Sequence, residues 1–469
     1  LYAGTDDGLI QITNDDGKTW RKVDEIKGVP SRTKVNMLTA SLHDENEAFV
    51  AFNSQRDGDF TPYLLRTTDQ GKTWESIASN LPERGNVYCI KQDHVNADLL
   101  FVGTEFGAFF SNDKGQNWTK LSGLPTIAVY DLDIQQREND LVAATFGRGF
   151  YVLDNYEPLR TVGKDILNKR AHLFPVKDAL LFVPATPLGG GGTGSQGHNM
   201  WSAKNPSFGA TFSLYLDAVA SSLRSKRQKE EKKLEKEGTA VYYPSFEEIR
   251  AEDLEGKASL IWQIYDASGS EIRRMKSAPK KGIQRQVWNL RTNTTDPVGS
   301  RGNGFLVTPG IYTVSVSLVK DGEVELLVDN QSFTVKGLNN QTLLAKNPDE
   351  LKAFRAEMAE LNRKVSGTEK VMGETKESIE LIEKALLNYP NTDLSLLKSI
   401  REMKVSLKGL ELLMWGDNAR SSRDFETVPS ISGRLGMVGY QIYQNTAGVT
   451  KTHRSNKQIA ENQYNALRI

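Results

Sequence analysis

A mainly β chain that ends in α-helices is what this sequence predicts, and three observations predict it. An eight-residue segment recurs three times near the start, alternating β-rich runs bounded by turn residues fill the middle, and apolar residues at helical spacing fill the end. At 469 residues the chain is long enough for about three domains of roughly 150 residues each. A hydrophobic share of 38% with 25% charged residues is the balance of a globular protein with ordinary cores. Acids and bases cancel at 59 each, so the electrostatic footprint of a nucleic-acid or anionic-membrane binder is missing. No apolar run approaches the ~20 residues that span a bilayer. Cys89 is the single cysteine, which excludes an intrachain disulfide and suits a bacterial envelope or cytosolic protein better than a secreted eukaryotic one.

The recurring segments are Thr13-Asn-Asp15-Asp-Gly17-Lys-Thr19-Trp20, Thr67-Thr-Asp69-Gln-Gly71-Lys-Thr73-Trp74 and Ser111-Asn-Asp113-Lys-Gly115-Gln-Asn117-Trp118. Their aspartates are 54 and 44 residues apart, and periods of roughly 40–50 residues signal propeller blades. An insertion at 53–62 accounts for the longer interval. Ahead of the segments, Gly4-Thr5, Gly103-Thr104 and Ala144-Thr145 sit in matching hairpins, and Val35, Val87 and Val129 open matching first strands. Each blade therefore reads as four strands, A to D, with the repeated segment at the C–D turn. Its Asp should accept backbone N–H groups, its Gly should take a positive φ, and its Trp should fill the blade core.

These residues resemble the Asp-box propellers: bacterial sialidases, xyloglucanases and the sortilin-type receptors. The resemblance implies that residues 1–160 are the C-terminal blades of a propeller, with structural roles for Asp15, Gly17, Trp20, Asp69, Gly71, Trp74, Asp113, Gly115 and Trp118. Leu1-Tyr2-Ala3 aligns with a strand B, so its own strand A and any earlier blades are expected outside this chain, because three and a half blades do not close a ring. Residues 144–155 read as the last blade, which lacks a box and ends the propeller.

Residues 165–340 keep strand-like runs but lose the blade pattern, which suggests an antiparallel sandwich. Trp288, followed by Pro309-Gly310 and Tyr312, resembles bacterial immunoglobulin-like domains of the FlgD type. A Gly-rich loop at 189–197 and a charged, solvated helical arm at 223–238 interrupt it. Residues 345–469 read as a helical bundle. Asn347, Pro348 and Glu350 suggest an N-cap, an N1 proline and a capping-box acid. Leu351, Phe354, Met358 and Leu361 form the apolar stripe of a first helix, with further helices at about 369–388, 393–415, 430–445 and 451–468. In domain order the whole chain resembles bacterial sortilin-like proteins, often labelled glycosyl hydrolases, and that resemblance implies an extracytoplasmic location: periplasm, outer-membrane surface or secreted.

Chemistry in such a propeller would sit at the mouth formed by A strands and the D–A and B–C loops. That mapping nominates Arg56, Asp57, Asp59, Arg84, Tyr88, Glu105, Phe106, Tyr130, Phe146 and Arg148, and beyond them Asp6, Asp7, Arg32, Lys34 and Asn36. Their mix of charge and aromatic surface suits a peptide or a sugar. A glycosidase needs two carboxylates ~5–9.5 Å apart; Glu105, Asp131 and Asp133 are available but nothing in the sequence pairs them. Strict strand alternation would send Tyr130 to one face and Asp131 and Asp133 to the other. The resemblance to sialidases implies an Arg triad, a Tyr–Glu pair and an acid Asp, which the chain does not display as a motif. His43, His94, His172, His198 and His453 lack metal-ligand spacing, Cys89 lacks a histidine partner, and no phosphate loop follows Gly302-Asn-Gly304. No metal and no cofactor is expected. The reading is a non-catalytic scaffold that binds a protein or peptide, with a glycoside hydrolase and a structural subunit of an envelope complex as the alternatives.

Overall fold

The computed structural model describes residues 1–184, 197, 203–219, 221–297, 302–338, 343, 345–443 and 445–467. The Gly-rich loop at 189–197 (Gly197 apart), His198 and Trp201 lie outside them. The chain forms two compact units, Leu1–Lys169 and Arg170–Ile469.

The first unit is a run of antiparallel meanders arranged as propeller blades. The first holds β1 (Tyr2–Gly4), β2 (Ile10–Ile12) and β3 (Arg21–Val23); the second β4 (Lys34–Ala40), β5 (Ala48–Asn53), β6 (Tyr63–Thr67) and β7 (Glu75–Ser76). The third holds β8 (Val87–Gln92), β9 (Leu100–Thr104), β10 (Gly107–Ser111) and β11 (Thr119–Lys120), and the fourth β12 (Val129–Gln135), β13 (Asp140–Thr145) and β14 (Phe150–Leu153). Inner strands β4, β8 and β12 neighbour one another in turn, and β1, a strand B, lies against β4. Period-2 alternation gives each sheet two apolar faces, and consecutive sheets bury them together. Phe49, Ala51 and Leu64 of the second blade share a core with Val87, Ile90 and Val102 of the third, and Cys89 and Phe101 share one with Val129, Leu132 and Leu141 of the fourth.

The repeated boxes have one geometry. Asp15, Asp69 and Asp113 each accept the backbone N–H four residues on at 2.9 Å. The leading Thr13, Thr67 and Ser111 hydroxyls accept from the amides of Gly17, Gly71 and Gly115 at 2.8–2.9 Å. Those glycines have φ of 86°, 73° and 86°. The hydrogen bonds hold the Asp15 and Asp69 carboxyls down at about 2, the Thr19 hydroxyl acting first on Asp15 and the Thr73 amide first on Asp69. The expectation for the tryptophans needs correction. Trp118 is buried, its Nε1 donating to Ile77 O of the preceding blade at 2.7 Å, and Trp74 packs partly into the core around Ile12. Trp20 is 47% exposed, because a box Trp packs on the preceding sheet and none precedes Trp20 among the described residues.

After β14, a 3₁₀ turn at Glu157–Arg160 leads to α1 (Lys164–Leu167). Asp93, fully buried in the β8–β9 turn, clamps this segment. It accepts both Arg160 Nε at 2.7 Å and Arg160 Nη2 at 2.8 Å, plus the Tyr156 hydroxyl at 2.6 Å. His43 and His94 lie at the same clamp: His43 Nε2 is 2.8 Å from Asp93 O, and His94 Nδ1 is 3.4 Å from the Asp93 carboxylate.

In the second unit, β15 (Ala171–Leu173), β17 (Ala210–Leu216) and β20 (Gly282–Trp288) form one sheet. β16 (Ala179–Leu181), β18 (Ser259–Asp266), β19 (Glu271–Ser277), β21 (Gly310–Lys320) and β22 (Glu323–Gly337) form another, in which β16 alone pairs in parallel. Both sheets bury their apolar sides in one core around Phe212, Trp262, Trp288, Tyr312 and Phe333. Between β17 and β18, α2 (Leu223–Lys236) and α3 (Phe246–Leu254) form a helical arm with no buried residue, tied by Arg227 to Glu252 at 2.6 Å.

The helices that follow are α4 (Pro348–Asn388), α5 (Leu396–Trp415), α6 (Asn418–Ser421), α7 (Ile431–Tyr443) and α8 (Lys451–Leu467). The two helices expected over 347–388 are one. Leu351, Met358, Val365, Met372, Ile379 and Leu386 keep a seven-residue apolar repeat through Gly367, and that stripe outweighs the ~1 kcal/mol a mid-helix glycine costs. Asn347 caps α4 as expected, but Glu350 pairs with Arg454 rather than closing a capping box. Arg355, 5% exposed, joins the helices to the sandwich by donating to Leu306 O at 2.8 Å and Ile442 O at 3.1 Å. Ile442 lies in the last turn of α7, where the helix dipole compensates a cation.

Two outcomes follow. Burial works against the Asp93 carboxylate, but the hydrogen bonds from Arg160 and Tyr156 outweigh it and hold its pKa below the usual range. Its stabilisation is therefore full above the unfolded value of ~3.9 and is lost as pH falls through the lower folded value. Asp93→Ala, which strands Arg160, should cost about 3–5 kcal/mol at pH 7, with the gap to wild type shrinking in acid, as urea unfolding at pH 7 and pH 3 would read. Gly71→Ala should lower Tm by more than Gly123→Ala. Both glycines have positive φ, an ~1–2 kcal/mol penalty, but only at Gly71 would the new Cβ crowd a neighbour, Ile12 Cδ1.

Candidate binding mouth of the propeller unit

The register of each four-stranded or terminal blade slips at one place in its inner strand: between Val35 and Met37, Val87 and Cys89, and Val129 and Asp131. A β-bulge at the same point of three blades puts Asn36, Tyr88 and Tyr130 at the extra position, where side chains escape the strict alternation. Tyr130, Asp131 and Asp133 are all exposed. The matching valines and their following residues were the available signal.

The bulges build an aromatic cluster. Tyr88 and Tyr130 ring centroids are 4.4 Å apart, and Tyr130 meets Phe146 edge-on at 5.5 Å. Tyr88 is 4% exposed, Tyr130 43% and Phe146 66%, so the cluster runs from buried to open. Phe146 and Arg148 project from the β13–β14 turn, in which Gly147 and Gly149 have φ of 74° and 71° and Thr145 closes the loop by donating to Gly149 O. The Tyr88 hydroxyl donates to the Glu105 carboxylate on the β9–β10 turn, and Gln55 Oε1 is 3.3 Å away. Burial first, and the Glu105 contact next, raise the Tyr88 pKa well above the ordinary phenol. Asn36 supports the cluster from the second blade, donating to Tyr88 O at 2.6 Å.

Other nominated residues are turned elsewhere. Asp59 accepts the Tyr63 hydroxyl at 2.6 Å and the Thr61 amide at 3.0 Å, which hold its carboxyl below the usual range, the tyrosine first. Asp57 accepts from Ser54 at 3.1 Å, so both carboxylates shape the 53–62 insertion itself. Arg56 is exposed on that loop, and the Arg84 guanidinium lies 5.3 Å from the centroid of Phe60. Phe106 is 38% exposed. Arg32 lines a cavity of about 470 Å³ with Gly8, Asp24 and Phe52, while Asp7 accepts from Thr5. Gln55, Phe60 and the buried Asn86 were missed; Gln55 and Phe60 sit on the insertion already singled out, and nothing local marks Asn86.

Burial raises the Cys89 thiol to about 12, with Asp131 adding to it, which leaves it a poor nucleophile at neutral pH. Among the described residues no group of three His, Cys, Asp or Glu side chains could hold a metal, and no helix is long and apolar enough to cross a membrane.

No family model and no curated protein matches the chain. Solved structures do. The GH74 xyloglucanase from Xanthomonas campestris aligns at 14% identity and TM-score 0.26 over 34% of this chain and 27% of its own. A β-propeller domain from Myceliophteria thermophila aligns at 13% identity and TM-score 0.27 over 38% of this chain and 59% of its own. A sialidase from Streptococcus pneumoniae aligns at 14% identity and TM-score 0.22 over 31% and 25%. This chain thus spans about a quarter of the length of both enzymes, and likenesses at these scores assign it neither activity nor substrate.

Tyr88→Phe keeps the ring contact and removes the hydroxyl, so it should cost about 1–2 kcal/mol in chemical denaturation. Glu105→Gln, which can still accept from Tyr88, should cost less than half of that.

Proposed function

We propose that the propeller unit is a non-catalytic binding module outside the cytoplasm, which holds a segment of a protein or peptide partner at its mouth. The observation that carries this reading is the graded aromatic surface. Tyr130 and Phe146 are open, they are backed by the buried Tyr88, and the exposed Arg148 stands beside them between two left-handed glycines. Rigid aromatics with an adjacent arginine are the residues that anchor peptide segments at low entropic cost. The placement in the periplasm, on the outer-membrane surface or among secreted proteins rests on the resemblance to sortilin-like proteins, as does the idea of an envelope complex. Carbohydrate is a competing ligand for the same rings.

The second reading, a glycoside hydrolase, is favoured by one contact, the Tyr88 hydroxyl on the Glu105 carboxylate. Three features weigh against it. Tyr88 is buried, its pKa is pushed up rather than down, and the nearby Asp57 and Asp59 are engaged in their own loop.

The test pairs turnover with selection. The protein should leave a panel of aryl glycosides and polysaccharides untouched, and should enrich sequences from a random peptide display library. Phe146→Ala and Tyr130→Ala should each weaken the enriched peptide about 10-fold or more. Turnover abolished by Glu105→Gln would replace this reading with the hydrolase, and enrichment unaffected by both aromatic variants would move the binding face elsewhere.

A further inference from the structure

The outer half of the α4–α5 hairpin carries an uncharged face that nothing in the described chain covers. The seam between the two antiparallel helices is made by Met372, Ile379 and Leu386 against Ile400, Leu407 and Met414, each pair of positions seven residues apart. Turned by roughly 80° from that seam, at 3.6 residues per turn, α4 shows Val371, Thr375, Ser378, Ile382, Ala385 and, just past its end, Tyr389. All six are exposed. α5 shows Leu396, Ser399, Met403, Ser406, Leu410 and Leu413 at the same spacing, all exposed as well. Both stripes are displaced from the seam in the same rotational sense, which in an antiparallel pair places them on one side of the hairpin.

Two observations make this side distinct. Ion pairs between the helices, Lys376–Glu411 at 3.3 Å and Lys404 with Glu383, lie on the opposite rotational side of the seam. On the uncharged side, the Thr375 and Ser378 hydroxyls donate to Val371 O and Glu374 O at 2.8 Å, so they turn their polarity back onto the helix. Seven large side chains there are 37–70% exposed, a surface of roughly 800 Å², which is what each partner of a stable interface buries.

We propose that this face is the dimer interface of the protein, docked on the same face of a second copy so that two hairpins complete a four-helix bundle. Ile382, Met403 and Leu410 alternate with Ser378, Ala385, Ser399 and Ser406, giving knobs and holes on the same surface. A two-fold contact places a patch on itself, which like charges would oppose and an uncharged face allows. The 3–4 spacing also presents each helix with a second apolar stripe, the pattern of a helix with two packing partners rather than one.

The full chain should sediment as a dimer at micromolar concentration, and Ile382→Glu should shift it to monomer by at least 10-fold in Kd. Ser378→Cys and Ser406→Cys, small replacements that leave the fold intact, should each give a covalent dimer on mild oxidation, since Cys89 is buried. Lys384→Cys, on the opposite side, should not. A wild-type monomer across the concentration range, or cross-linking no better than Lys384→Cys, overturns the proposal. So does a monomer in which Ser378→Cys is shielded from maleimide, which would show the face covered within one chain.

Discussion

An antiparallel blade has two apolar faces and cannot bury either alone, and the first unit depends on that constraint. Phe49, Ala51 and Leu64 reach zero exposure only because Val87, Ile90 and Val102 lie against them. The corresponding face of the fourth blade holds Phe150 at 75% and Val152 at 54% exposure, and among the described residues no sheet lies against it. The boxes serve this packing indirectly. By fixing the C–D turns with side-chain oxygens, they hold Trp118 and Trp74 against the preceding blade and bring Gly71 close to Ile12, where an added Cβ would force the Ile12 side chain to shift.

Buried charge follows one rule in both units: it is met by polar groups of opposite hydrogen-bonding character already fixed in place. Asp93 spends its lone pairs on Arg160, Tyr156 and two backbone amides, and so ties the segment after the last blade to the third blade. Arg355 has no carboxylate partner among the described residues. Burial, with Arg291 nearby, lowers its pKa to about 10, and the carbonyls at the end of α7 hold it instead. That choice joins α4 to the loop before β21 and to α7 at once, which is how one side chain orders a helix pair on a sandwich.

Much of the fold was legible, for physical reasons that differ by region. The boxes could be read because a turn with two left-handed residues demands Gly, and an Asp, Thr or Ser at fixed offsets, so the requirement is written in residue types. Strands were readable from period-2 alternation, and the apolar stripes of α4, α5, α7 and α8 from their 3–4 spacing. The division of α4 into two helices failed because a glycine is a local cost while the stripe is a sum over six heptad positions. Trp20 failed because its burial depends on a neighbour, not on its own segment.

The candidate mouth was legible in membership more than in arrangement. Tyr88, Tyr130 and Phe146 came from repeat alignment, but the contact between the two tyrosines rests on two β-bulges, and a bulge has no residue signature of its own. The sequence by itself determined the blade repeat, the turn chemistry and which helix faces are apolar, since those are short-range requirements of backbone and periodicity. The tertiary structure decided that Glu105 belongs to Tyr88, that Asp57 and Asp59 serve their own loop, and that Arg355 caps a helix far away in sequence. Those pairings are choices among many oxygens and nitrogens of equal local merit, and only the fold brings one of them within 3 Å.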